Sequence, residues 1–202
     1  MMVCVPRQLL SSLVLSYALL HIRSVVPTKH NIIRGEKFLC GTYAPELATV
    51  TCNFKRVNRT TEFWSFDGFY SPYFSALNNT DNLFMDVTVY SRQQNLEWRP
   101  HMIIHYFVDI CGYMNGVLQN KFLDILASDF KKFSNFMHPC PYKGHFYLKN
   151  MTFNDEHFPT IVPSAEIYID FQYFMYVNGS RKRMHYLRPY LEVKTKGILY
   201  FK

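Results

Sequence analysis

His101 and His105 stand four residues apart, the spacing that places two metal ligands on one face of a helix. They follow Pro100 in a run that alternates like a strand, where four residues span about 13 Å and one ion cannot meet both. His138 lies near Cys140, a pairing that would suggest a thiol activated by an imidazole, but a cysteine oxidised to a disulfide has no thiolate to offer. Asp109, Asp124 and Asp129 supply carboxylates with no spacing that brings two of them to one substrate. The chain has no Gly-rich phosphate loop, no G-x-S-x-G elbow and no H-E-x-x-H helix. These residues point to a non-catalytic protein without a metal or a cofactor.

The cysteines speak of compartment. Cys4 falls in an N-terminal stretch with a basic Arg7 and an apolar run from Leu9 to Ile22 broken by Ser11, Ser12 and Ser16, the pattern of a signal peptide over residues 1–24. That run is too short and too polar for a span of about 20 apolar residues, and no later segment approaches that length. Cys40, Cys52, Cys111 and Cys140 remain, an even set with three possible pairings. Cys40–Cys52 and Cys111–Cys140 are favoured because each closes a local loop. Asn58, Asn78, Asn150 and Asn178 each open an N-x-S/T triplet, so all four are expected to face water as glycosylation sites. Leader, paired cysteines and sequons together predict a secreted, extracellular protein with one domain over residues 25–202.

Composition allows that domain a real core: 49% of residues are apolar and 18% charged. Phe and Tyr are abundant, at 18 and 15, which favours strands. Without the leader, which carries Arg7 and Arg23 and no acid, the formal charge falls from +7 to +5. The remaining cations are dispersed apart from Arg181-Lys182-Arg183, which follows the turn signal Asn178-Gly179-Ser180 and reads as a solvated hairpin tip rather than a nucleic-acid patch.

The elements that would position these residues are mostly strands. Val26 to Lys37 is polar and reads as a loose arm. Ala48, Val50, Cys52 and Phe54 alternate with polar residues, Trp64 and Phe66 share a face between Thr61 and Tyr70, and Leu83 to Tyr90 alternates again. Met102, Ile104, Tyr106, Val108 and Ile110 form a fourth such face. The period then changes: Phe122, Ile125 or Leu126, Phe130 and Phe133 mark one amphipathic helix over Asn120 to Ser134. Strands return at His145 to Phe153, at Ala165 to Val177 and around Leu187 to Val193. The pattern predicts a mainly β fold, a two-sheet sandwich with one helical insertion.

Longer strings are more specific. Cys52-Asn53-Phe54-Lys55-Arg56-Val57-Asn58-Arg59-Thr60, Arg99-Pro100, Val108-Asp109-Ile110-Cys111 and Ser134-Asn135-Phe136-Met137-His138-Pro139-Cys140-Pro141-Tyr142 occur in that order. They resemble an insect family of secreted proteins of unknown function with four cysteines, similar to the CheB chemosensory proteins and more distantly to the ML lipid-recognition clan of ganglioside activators. Cys40, Cys52, Cys111 and Cys140 match that family's set, whereas Pro100-His101-Met102-Ile103-Ile104 and Met137 depart from its pattern. The resemblance implies an immunoglobulin-like, ML-like sandwich with an apolar cavity. It also implies a role in binding or presenting a lipid or other hydrophobic molecule, such as a pheromone, with a receptor or channel at a cell surface as a further partner. Trp64, Phe66, Tyr106, Phe171, Tyr173 and Met175, each on an apolar strand face, are the candidates for the cavity wall. The competing expectation is an extracellular interaction or structural protein with a filled core that acts through its surface.

Overall fold

The structure, a computed structural model, describes residues 31–58, 61–77, 82–92, 101–152 and 164–195. The leader, Cys4, the Asn78 sequon and Arg99-Pro100 lie outside them. In chain order the elements are β1 (Asn31–Thr42), β2 (Ala48–Arg56), β3 (Glu62–Tyr70), α1 (Pro72–Leu77), β4 (Phe84–Arg92) and β5 (His101–Asp109). They continue with α2 (Ile110–Met114), α3 (Lys121–Phe133), β6 (Gly144–Met151), β7 (Ala165–Val177) and β8 (Ser180–Thr195). The strands form two antiparallel sheets, one in the order β1-β8-β7-β4-β5 and one in the order β2-β3-β6. The fold is a β-sandwich with a small helical insertion.

Alternation explains which face of each strand turns inward. Trp64, Phe66 and Tyr70 of β3 are buried, as are Phe146, Leu148 and Met151 of β6, and they meet Met85, Val87, Ile167, Ile169, Leu187 and Leu191 of the larger sheet in one core. The β7–β8 hairpin turns at Asn178 and Gly179, with φ of 50° and 76°, the two positive values that a tight twisted hairpin needs. Arg181 beyond that turn pairs with Asp86, and Lys182 pairs with Glu46 at 2.6 Å.

Two local readings are corrected. The expected loose arm is instead β1, which runs along β8 from Asn31 to Thr42. Its register slips between Gly35 and Lys37, so Ile33 and Phe38, both packed against the core, are five residues apart and the period of two is hidden in the sequence. The fourth apolar run ends sooner than its pattern suggests, because Ile110 and Cys111 already belong to α2, capped by the Asp109 carboxylate accepting from the Gly112 N–H at 2.9 Å. The helix α3 starts after Asn120, whose side-chain oxygen accepts from the Leu123 N–H at 3.1 Å. Leu123, Ala127 and Phe130 of α3 face the interior, and Phe130 and Phe133 pack against the core as the pattern expects.

Among the described residues two disulfides form, one of them between the sheets. Cys40–Cys52 links β1 of the large sheet to β2 of the small one, with Cα atoms 5.9 Å apart. Cys111–Cys140, at 5.5 Å, links α2 to the segment between α3 and β6. No helix among the described residues is long and apolar enough to cross a membrane.

Candidate functional site

The small sheet supplies the first wall of an internal cavity. Trp64 is held on β3 by edge contacts to Phe38 at 5.3 Å and Phe54 at 4.9 Å between ring centroids. Beside it Phe66 stacks on Phe136 at 5.5 Å. Gly68 comes next on the inward face. A Cβ there would collide with the Phe146 ring, so glycine leaves that ring room to stack on Tyr70 at 4.4 Å. Tyr70 stacks in turn on Phe74 of α1, whose side chain is fully buried. The short helix α1 thus props this wall from behind, with the Ser71 hydroxyl accepting from the Phe74 N–H at 3.0 Å.

Ile169, Phe171 and Tyr173 of β7, with His185 and Leu187 of β8, form the opposite wall. The third side is helical: Ile110 and Tyr113 of α2 and Leu123, Ala127 and Phe130 of α3 face the space, with Tyr142 following the loop from α3. That loop is anchored by Cys140 and by the Tyr142 hydroxyl, which lies 2.8 Å from the Phe136 carbonyl oxygen and 3.1 Å from that of His138. The space is about 120 Å³, partly open to the surface, and its lining is almost wholly apolar.

One part of the wall is polar. His185 is 1% exposed, stacks on Tyr173 at 4.5 Å and 15° between ring planes, and lies 6.2 Å from the Tyr70 ring. Its Nδ1 is buried with no hydrogen-bond partner. Burial alone pushes the imidazole pKa down to about 3, so the ring is neutral at ordinary pH. Burial also raises the pKa of Tyr70, Tyr142 and Tyr173, and neighbouring phenols raise those of Tyr70 and Tyr142 further. Tyr113 is pushed up to about 12, first by desolvation and then by the hydrogen bond it donates to Asp124 at 2.8 Å.

Of the six residues expected on the cavity wall, Trp64, Phe66, Phe171 and Tyr173 line this space. Met175 shares their strand face but is fully buried in the core outside the lining, and Tyr106 does not reach the cavity. Tyr106 pairs in register with Val87 on the inward face of β4, yet β5 is the free edge of the wider sheet and the ring stays 40% exposed. His185, Tyr70 and Tyr142 were missed. His185 keeps the parity of Leu187, Leu191 and Val193, and a histidine on that apolar face was the available signal. Tyr70 likewise continues the parity of Trp64 and Phe66, whereas Tyr142 follows a Cys-Pro pair with no periodicity to read.

The other chemistry-bearing residues are scattered. His105 Nε2 lies 3.6 Å from Asp86 and His145 Nε2 lies 2.8 Å from Asp67, both histidines about half exposed. No group of three or more His, Cys, Asp or Glu among the described residues is placed to hold a metal ion. The sequon residues Asn58, Asn150 and Asn178 are all exposed.

Residues 85–183, just under half of the chain, match a family described as a protein of unknown function (DUF1091). That segment runs from β4 through the helical insertion to the start of β8, and so includes Cys111, Cys140 and the helical side of the cavity. No curated protein matches the chain.

Proposed function

We propose that this chain is a secreted, non-catalytic carrier that holds a hydrophobic small molecule between its two sheets. The observation that carries this reading is the cavity of about 120 Å³, lined by aromatic and aliphatic side chains from both sheets and both helices of the insertion. Interiors are otherwise filled to crystal-like density, so a void of this size beside so many bulky rings is a feature to explain. Two disulfides and exposed sequon residues fit an oxidising, glycosylating route to the outside of the cell. The family resemblance supports a lipid-like ligand and a chemosensory setting, with presentation to a receptor or channel as the final step.

The test is to secrete the full chain from insect cells, extract it with organic solvent and identify co-purifying molecules by mass spectrometry. A stoichiometric apolar compound supports the carrier reading. A well-folded, empty protein that also excludes a fluorescent apolar probe sinks it.

A second reading has its own observation. Met102, Ile103 and Phe107 on the edge strand β5 are 63%, 46% and 52% exposed, an apolar strip suited to a protein partner. Charged substitutions along that strip would abolish partner capture while leaving probe uptake intact if the surface, rather than the interior, does the work.

A further inference from the structure

The cavity is not uniformly greasy. Tyr70, Tyr173 and His185 come from β3, β7 and β8 and converge on one part of its lining, with the imidazole stacked on the Tyr173 ring at 4.5 Å. Among the described residues His185 Nδ1 is the one buried side-chain polar atom without a partner, and the Tyr70 and Tyr173 rings lie 6.2 and 4.5 Å from its ring. Buried polar groups are nearly always paired in proteins, so an unpaired imidazole nitrogen beside two tyrosines marks the place where a ligand's polar atom belongs. No Lys, Arg, Asp or Glu lines the space among the described residues. A carboxylate or ammonium would therefore enter without a counter-charge, which is strongly unfavourable.

We propose that the cavity takes a small neutral molecule of the medium-chain alcohol type, its apolar body among the Phe and Trp rings and its hydroxyl against Tyr70, Tyr173 and His185. A hydroxyl both donates and accepts, so it can accept from a phenol and donate to a neutral imidazole, which a carbonyl cannot do. Size sets the length of the body. A cavity of about 150 Å³ is known to hold benzene, so about 120 Å³ accommodates a chain of roughly six carbons. This assignment rests on the carrier reading and refines it.

The experiment measures affinities of 1-hexanol, 1-chlorohexane and hexanoate by displacement of an apolar fluorescent probe. It compares the natural chain with His185→Phe and with the double variant Tyr70→Phe, Tyr173→Phe, which keep the rings and remove the polar atoms. The expected result is that either variant weakens hexanol about five- to tenfold, the worth of a hydrogen bond, while chlorohexane changes by less than about twofold. Hexanoate at neutral pH is expected to bind at least about tenfold more weakly than hexanol. Equal changes for alcohol and chloride, or no change for either, overturn the alcohol assignment and leave the carrier reading standing. A natural chain that is folded by its thermal transition, yet binds neither the probe nor any of the three, overturns both.

Discussion

His185 concentrates the tension in this molecule at a single residue. Its ring is 1% exposed and its Nδ1 meets no partner, so folding strips water from a polar group and returns nothing. Proton uptake makes the balance worse. In the unfolded chain the imidazole titrates near 6.5, whereas burial lowers it to about 3 in the fold, so between these values the unfolded state binds more protons. Stability from this group is complete above about pH 6.5 and is lost as pH falls towards 3. Thermal unfolding followed from pH 7 to pH 4 should show a falling Tm, and His185→Phe should flatten that slope and raise the Tm at pH 7 by a few degrees. A variant that keeps the full slope would show that carboxylates elsewhere, not this imidazole, govern acid sensitivity.

At the scale of elements, the helical insertion stands apart from the sheets as the part most dependent on covalent support. α2 is five residues long and α3 thirteen, lengths that are marginal for a helix on its own, and each shows one face to the cavity. Cys111–Cys140 fastens the start of α2 to the loop after α3, closing a loop of 29 residues. Replacing both cysteines by alanine should cost about 3–4 kcal/mol by loop-closure entropy and loosen this side of the cavity before the sheets. Hydrogen exchange would show it as loss of protection confined to α2 and α3, and equal loss in β7 and β8 would contradict it. The elements also show what sequence makes visible. Period-two faces in β2 and β3 were legible because each strand has one face in the core and one largely towards water. In β4 and β7 the apolar residues still alternate although Thr88, Asp170 and Phe174 are buried on the other face. β1 was hidden because a bulge splits its apolar face, and α1 because six residues are too few to display a helical period.

At the largest scale, the described residues form an unequal sandwich, five strands against three, with the helical insertion facing the cavity from one side. That inequality decides which aromatic residues matter. Trp64 and Phe171 lie in strands with neighbours on both sides and reach the interior, while Tyr106 has the right parity on a strand at the open edge. Parity is local and therefore readable; how far one sheet covers another depends on strand order, which pairwise periodicity does not encode. The cavity itself was legible only through resemblance, since a filled and a hollow sandwich alternate identically. Ala127 offers a direct test because it is the small residue on the helical side. Ala127→Phe should abolish uptake of an apolar probe while leaving circular dichroism unchanged, with overpacking costing no more than about 1–3 kcal/mol. Full probe binding by that variant would place the ligand elsewhere. An occupant at a hundred times its Kd should add roughly 2.7 kcal/mol, or about 5–10 °C of Tm for a chain of this size.

The position of Trp64 has an optical consequence. Its indole is 1% exposed, flanked by Phe38 and Phe54, and forms part of the cavity lining. A dry, aromatic cage gives blue-shifted emission, and any guest arriving beside the indole changes its intensity. With Trp98, which lies outside the described residues, replaced by Phe, the protein becomes its own fluorescent gauge of occupancy. Titration with a brominated alkyl alcohol should quench that emission in a saturable way, whereas a brominated sugar of equal concentration should leave it nearly untouched.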